Sequence, residues 1–204
     1  MLSRFELSKR FLVFAKFLCS SLPIHGSHGG GRHWGKINTL ENYGRAVNEA
    51  RTDILAIDIW KTIDEHLVLN HDGIINGINV NESTLEQLQK LDPQLITLDQ
   101  VLSEFQSTSS LVYFFDMKDI KAIPLILGAI KQYNIENHVI FGAGDRTINK
   151  EFRLNDNFSY EHDILALILG PHTRSILNKH LVDTIHKAEK PLAIVGSLLD
   201  DSNV

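Results

Sequence analysis

The sequence predicts an α/β fold in which a parallel sheet is covered by helices. Short apolar runs of strand length alternate along the chain with longer stretches that have helical spacing. The short runs are apolar along their whole length, which is typical of strands buried on both faces in βαβ units. A closed (β/α)8 barrel and an open doubly wound sheet both satisfy this pattern, and the periodicity alone does not separate them.

Six apolar runs have the length and the β-branched or aromatic content of strands. They cover residues 54–60, 66–69, 111–115, 138–141, 164–169 and 191–195. Helical spacing predicts five helices between these strands. They cover residues 39–50, 83–91, 98–105, 120–133 and 173–187. A further strand is expected directly before His28.

Size and composition predict one globular domain with a small-molecule partner. A chain of 204 residues with 43% hydrophobic and 22% charged residues can bury one core. The net charge of -5 is spread without blocks of one sign, which argues against nucleic acid as a partner. The single cysteine, Cys19, excludes an intrachain disulfide and a cysteine-rich zinc site.

Residues 1–22 form a basic and apolar segment ahead of the expected domain at 23–204. An apolar run at 11–18 is interrupted by Lys16 and is too short to span a bilayer. A poor signal peptide, a basic helix on a membrane surface and a helix packed under the first strand all fit this segment. We expect a cytoplasmic or membrane-associated location, with peripheral membrane contact through this segment, and secretion stays open.

Polar residues gather where the predicted strands end, which is where parallel α/β folds carry their functional groups. They are His28, Asp58 with Trp60, His71 with Asp72, and Asp116 with Lys118. Because successive side chains alternate faces along a strand, Asp58 shares a face with Ala56, and Asp116 with Lys118. A buried Asp58 needs a partner, for which a salt bridge with Lys118 is the structural alternative to a metal. The pattern predicts two histidines and two carboxylates at one rim.

Several segments carry a recognisable order of motifs. They are Ser-His-Gly-Gly at 27–30, Asn-Thr-Leu-Glu-Asn-Tyr at 38–43, Ile-Asp-Ile-Trp-Lys-Thr-Ile-Asp-Glu at 57–65, Val-Leu-Asn-His-Asp-Gly at 68–73 and Asp-Met-Lys at 116–118. In order and spacing they resemble the glycerophosphodiester phosphodiesterases. That family has His-Arg-Gly, Glu-Asn-Thr, Glu-x-Asp, a hairpin with Thr-x-Asp, His-Asp and then Glu-x-Lys. The resemblance runs from about residue 23 to residue 119 and extends more weakly to residue 195.

The resemblance implies a (β/α)8 TIM barrel of the phospholipase C-like phosphodiesterase type and a hydrolase of lipid metabolism. It implies cleavage of glycerophosphodiesters or lysophospholipids, assisted by a bound Ca²⁺ or Mg²⁺ ion. A cation and a lysine would balance charge on the phosphoryl oxygens, while two imidazoles move protons. Position by position, it implies His28 and His71 as the catalytic acid–base pair, Asp58 and Asp116 as metal ligands, and Lys118 and Asn38 as phosphate- or substrate-binding residues.

Four positions depart from the family pattern. Gly29 replaces the arginine of His-Arg-Gly, Ile37 and Ala56 each replace a glutamate, and Asp116 stands for the glutamate of Glu-x-Lys. A hard cation prefers several charged oxygens, so we expect the metal to bind weakly if at all. The loss of a bidentate phosphate donor at Gly29 is expected to weaken the chemistry further.

The C-terminal residues also differ from the family pattern, and two alternative functions stay open. Gly196 and Ser197 stand where the family has a Trp-Thr pair, and we expect the last strand and helix of the barrel to be absent. A catalytically inactive protein of the same fold that binds a partner or a phosphate is favoured by Gly29, Ile37 and Ala56. An enzyme of the phospholipase D or sphingomyelinase D type is a further alternative, because an aspartate can take the third ligand position.

Overall fold

The computed structural model describes residues 25–136 and 138–142, together with the backbone of two strands at 167–169 and 192–194. The chain divides into two units, Met1–Asn155 and Asp156–Val204. The predicted segment at 1–22 and the predicted helix at 173–187 lie outside the described residues.

The strands of the structure, in chain order, are β1 to β9. Their bounds are Gly26–His28, Ile54–Lys61, Leu67–Leu69, Ile74–Ile75, Ile78–Asn79, Val112–Met117, Val139–Gly142, Leu167–Leu169 and Leu192–Ile194. The helices are α1 to α4, with bounds Leu40–Asn48, Leu85–Leu91, Leu98–Phe105 and Ile123–Tyr133.

Four strands of the first unit form a parallel sheet in the order β1-β2-β6-β7, and β3 lies antiparallel to β2. The parallel strands follow one another across the sheet in chain order without a reversal. An open doubly wound sheet reverses its order at a switch point, whereas consecutive (β/α) units of a barrel do not. The described order therefore favours the barrel. In the second unit β8 and β9 pair in parallel.

The core of the first unit lies on one face of β2 and β6. Leu55, Ile57 and Ile59 alternate along β2 and are fully buried, and Phe115 is fully buried on β6. The intervening positions carry Asp58 and Asp116, as the two-residue period of a strand requires. Within the helical layer α3 contacts both α1 and α4. One face of the sheet is therefore apolar and packs in the core, and the opposite face carries Asp58 and Asp116.

The predicted elements agree with the structure to within a few residues wherever the structure describes them. Helix α3 has the predicted bounds, whereas the predicted helix at 120–133 begins with a 3-10 turn at Ile120–Ala122 before α4. Pro124 lies in the first turn of α4, where its missing N–H removes no hydrogen bond. None of the described helices has the length and apolar content needed to cross a membrane.

The hairpin of β4 and β5 was not among the predicted elements. Its turn is Asn76-Gly77, and both residues have positive φ, at 50° and 82°. An Asn-Gly pair with these angles is a strong signal for a two-residue hairpin turn. The pair was overlooked because the strands it joins are only two residues long.

The turn between β2 and β3 is fixed to helix α2 by Asp64. The backbone N–H of Leu85 donates to the Asp64 carboxylate at 3.0 Å, and Thr62 closes the turn by accepting from the N–H of His66 at 2.9 Å. Burial alone would raise the pKa of Asp64, but the hydrogen bonds from Thr62 and Leu85 outweigh it and lower that pKa. The Thr-x-Asp hairpin implied by the family pattern is present at this position.

Candidate active site

Neighbouring strands bring the predicted site residues to one edge of the sheet. His28 is the last residue of β1 and is the register partner of Ala56 on β2. Two positions further along β2, Asp58 is the register partner of Asp116 on β6. Register partners on parallel strands point to the same face, so both carboxylates face the side on which His28 ends its strand.

Asp58 is the buried centre of the cluster, with no exposed surface. Its Oδ2 accepts a hydrogen bond from Asn38 Nδ2 at 3.0 Å and lies 3.5 Å from Nε2 of His28. Its Oδ1 lies 3.1 Å from the ammonium nitrogen of Lys118. A buried carboxylate is tolerated only with such partners. The salt bridge considered in the sequence analysis is therefore present, and it coexists with a histidine contact.

Lys118 joins the two carboxylates. Its Nζ donates to Asp116 Oδ2 at 2.6 Å and pairs with Asp58 on its other side. Burial alone would lower the pKa of Lys118, but the hydrogen bond to Asp116 and the charges of both carboxylates outweigh it and raise that pKa. Lys118 is therefore an ammonium ion at neutral pH, and the two carboxylates with this cation carry one net negative charge.

A buried relay of hydrogen bonds orients Asp58. The hydroxyl of Tyr43 donates to Asn38 Oδ1 at 2.7 Å, and Asn38 in turn donates to Asp58. Asn38 has a φ of 60°, a conformation that asparagine tolerates better than most residues. The next residue, Thr39, caps helix α1 by accepting from the N–H of Asn42. Burial, and then the charge of Asp58, raises the pKa of Tyr43 well above its ordinary value.

His71 approaches His28 from a tight turn after β3. The two rings lie nearly perpendicular at 82°, with centroids 5.9 Å apart. His71 Nδ1 lies 2.6 Å from Asp72 Oδ1, a contact in which Nδ1–H donates to the carboxylate. Gly73 has a φ of 73°, and a Cβ there would collide with the indole of Trp60. The turn can therefore pack against Trp60 only because this position is glycine.

Two of the departures from the family pattern lie side by side in the loop after β1. Gly29 has a φ of 59°, and a Cβ there would lie 2.8 Å from Cβ of Ile37. Its N–H donates to the carbonyl of Ala56 at 2.9 Å, and its own carbonyl accepts from Asn38 N–H at 2.8 Å. The glycine thus fixes the loop to β2 and to the residue that orients Asp58, and a side chain at this position is strained.

Among the residues that the structure describes, one group could hold a metal ion: His28, Asp58 and His71, whose ligand atoms lie within 4.8 Å of one another. The predicted ligand Asp116 is not in this group. Calcium and magnesium prefer an all-oxygen shell. Ala56 offers no carboxylate, and the ammonium of Lys118 already lies against Asp58 and Asp116. The cluster therefore does not fit a Ca²⁺ or Mg²⁺ ion.

The structure brings together all six residues that the sequence singled out, and their catalytic and binding roles stay predictions. His28, Asp58, Asn38, Lys118 and Asp116 are linked by direct contacts, and His71 lies against His28. Sequence reasoning missed Tyr43 and gave no role to Asp72. The signal for Tyr43 was its position five residues after Asn38 within the same motif.

The fold and the site together define an α/β barrel with a histidine–carboxylate cluster at the carboxyl ends of its strands. No protein-family model matches the chain, and no curated protein matches it by sequence. Solved structures do match it, and those that follow are glycerophosphodiester or glycerophosphoryl diester phosphodiesterases.

The enzyme from Agrobacterium tumefaciens has 13% identity and a TM-score of 0.68, over 85% of this chain and 86% of that chain. The Thermotoga maritima enzyme has 19% identity and a TM-score of 0.59, over 86% of this chain and 75% of that chain. An enzyme from Parabacteroides distasonis has 18% identity and a TM-score of 0.57, over 94% and 79% of the two chains.

These identities are all below 25%, so what the likeness establishes is the fold. The chain has the TIM-barrel fold of the glycerophosphodiester phosphodiesterases, and the predicted fold class is confirmed. The fold also supports the resemblance drawn from the motifs.

Proposed function

We propose that this chain is a divergent glycerophosphodiester phosphodiesterase that hydrolyses glycerophosphodiesters or lysophospholipids. The observation that carries the proposal is the meeting of His28 and His71 beside the buried carboxylate of Asp58. Two imidazoles at the carboxyl edge of a parallel sheet suit the two proton transfers of phosphodiester cleavage. The shared fold supports the same chemistry.

In the proposed reaction a water molecule or a substrate hydroxyl attacks phosphorus, and the bond to the leaving oxygen breaks. One imidazole accepts the proton of the attacking group, and the other donates a proton to the leaving oxygen. Asp58 beside His28 and Asp72 beside His71 would each stabilise the imidazolium that forms.

Lys118 is the cation that would offset charge on the phosphoryl oxygens. Its charge is already shared by Asp58 and Asp116, and Gly29 offers no guanidinium group. We therefore expect slower turnover than a site with an arginine and a metal would give. We assign Asn38 a positioning role, because both ends of its amide are engaged by Asp58 and Tyr43.

The hairpin that follows His71 bears on the choice of substrate. Ile74 and Ile78 lie on β4 and β5 and are 52% and 46% exposed. Large apolar side chains so close in sequence to a proposed catalytic residue would suit the acyl chain of a lysophospholipid or a membrane surface. We therefore rank lysophospholipids beside glycerophosphodiesters as substrates.

The test is hydrolysis of glycerophosphocholine and of lysophosphatidylcholine by the purified full chain. His28→Ala and His71→Ala should each lower kcat by roughly 10²–10⁴-fold, the usual contribution of a general acid or base. His66→Ala is the matched control, because His66 also lies near a carboxylate, Asp64, but is not part of the histidine–carboxylate cluster. Turnover that survives both pocket substitutions would refute the proposal.

A second candidate function is the binding of a phosphate ester without turnover. It is favoured by one specific observation: both carboxylates pair with a single ammonium, which leaves too few free carboxylate oxygens for the all-oxygen shell of a hard metal. Calorimetry with glycerol phosphate tests it, since binding by a chain that shows no turnover would establish this function. Release of choline from lysophosphatidylcholine but not from glycerophosphocholine would indicate the phospholipase D-like alternative.

A further inference from the structure

Three donor groups of the histidine–carboxylate cluster lie close enough together to ligate one transition-metal ion. One ligand atom each from His28, Asp58 and His71 lies within 4.8 Å of the others. His28 Nε2 and Asp58 Oδ2 are 3.5 Å apart. In a tetrahedral zinc site with bonds of about 2.1 Å, ligand atoms lie about 3.4 Å apart. One pair therefore has the required separation, and the third donor would have to move by up to about 1.4 Å to reach that spacing.

The outer contacts of these donors are those that metal ligands usually have. A ligating histidine commonly donates its second ring N–H to a carboxylate, and ligating carboxylates are themselves hydrogen-bonded. Nδ1 of His71 contacts Asp72 at 2.6 Å, and Asp58 accepts from Asn38, which is held by Tyr43. Both groups are therefore oriented before any ion binds.

Lys118 does not block such an ion, because it uses the other oxygen of Asp58. The ammonium lies against Oδ1, whereas His28 and Asn38 lie on the side of Oδ2. The formal charges of Asp58, Asp116 and Lys118 sum to one negative charge, which favours a cation over an anion beside them. Asp58 would act as a monodentate ligand.

The donor set selects the kind of ion. Two imidazoles with one carboxylate suit zinc and other first-row transition metals, whereas calcium and magnesium prefer an all-oxygen shell. We propose that His28, Asp58 and His71 form a site for one divalent transition-metal ion, with zinc as the best-fitting ion. This site differs from the hard-metal site that the sequence predicted.

A bound ion has a consequence for the proposed hydrolysis. Each imidazole would place a lone pair on the metal, and neither could then exchange a proton at that nitrogen. Zinc should therefore inhibit hydrolysis of glycerophosphocholine. This consequence rests on the proposed function, whereas the binding itself does not.

Binding is measured on the full chain with Co²⁺, whose visible absorption reports coordination by nitrogen and oxygen, followed by displacement with Zn²⁺. Wild-type protein should give one coordinated equivalent that excess Ca²⁺ or Mg²⁺ does not displace. His28→Ala and His71→Ala should each weaken this binding more than 100-fold. Asp72→Asn should weaken it by about 10–100-fold, as loss of an outer-shell partner does.

His66→Ala is the matched control and should bind as the wild type does, because the His66–Asp64 pair is separate from the pocket. His28 and His71 are partly exposed, so their truncation should leave folding intact, which thermal unfolding of the metal-free variants verifies. Unchanged Co²⁺ spectra in both pocket variants would overturn the site, as would displacement by Mg²⁺. Normal Co²⁺ binding in a chain that hydrolyses no phosphodiester would leave the metal site standing and remove only the proposed enzyme.

Discussion

The ammonium of Lys118 lies 3.1 Å from Oδ1 of Asp58, a carboxylate with no exposed surface. Removing one partner of a buried ion pair leaves the other charge uncompensated, which typically costs about 3–5 kcal/mol. Because the Lys118 side chain keeps 20% exposure, we expect Lys118→Met to lower the free energy of unfolding by about 2–3 kcal/mol.

Urea unfolding measures this loss. Lys90→Met is the control, because Lys90 forms an exposed ion pair with Glu86 one helical turn away and should lose no more than about 0.5 kcal/mol. Asp58→Asn and the double variant complete a cycle, in which a coupling of about 1–3 kcal/mol is expected. A coupling near zero would mean that the pair does not stabilise the fold.

Tyr43→Phe should destabilise the protein by about 1–2 kcal/mol, because the side-chain oxygen Oδ1 of Asn38 would lose its buried hydrogen-bond donor. Asn38 would no longer be held by Tyr43, so the hydrogen bond from Asn38 should orient Asp58 less well. Alkaline titration of tyrosine absorbance provides a second measurement. Burial raises the pKa of Tyr113 to about 12 and that of Tyr43 well above its usual value, so the Phe variant should lose amplitude only from the late phase.

Gly29→Ala should be more costly than Gly77→Ala. Both glycines have positive φ, at 59° and 82°, and alanine pays about 1 kcal/mol for that conformation at either place. At Gly77 a Cβ meets nothing within 4 Å, whereas at Gly29 it would lie 2.8 Å from Cβ of Ile37. We expect an additional loss of about 1–3 kcal/mol in chemical unfolding. Equal losses would show that the loop relaxes around Ile37.

Asp64→Asn should destabilise the protein at neutral pH and become neutral in acid. The folded-state pKa of Asp64 is lowered, so its stabilisation is present above the unfolded pKa and is lost as pH falls through the folded value. The carboxylate is partly exposed, so the effect at pH 7 should be about 0.5–1 kcal/mol. Melting temperatures of the two proteins should converge as the pH falls through the folded-state pKa of Asp64. A gap that persists in acid would contradict the assignment.

The sequence was sufficient for most strands, because an apolar run such as the one on β2 records burial on both faces. It also predicted that His28, Asp58 and Asp116 lie near one another, because the carboxyl ends of parallel strands must meet at one edge. It indicated the Asp58–Lys118 pair as the alternative to a metal, but not that Lys118 also contacts Asp116, because a contact with two carboxylates depends on the register between β2 and β6. Nor did it give the role of Tyr43, which reaches Asp58 only through the left-handed turn at Asn38.

The register that places Asp58 opposite Asp116 also sets what kind of change the protein tolerates. Exchange of a single residue, as at Gly29 or Ala56, leaves every side chain on its own face. Inserting or deleting one residue within β6 before Asp116 would turn Phe115 toward the histidines and the carboxylate toward the helices. Variation in this barrel is therefore expected as substitutions within the strands, while changes in length are confined to the loops.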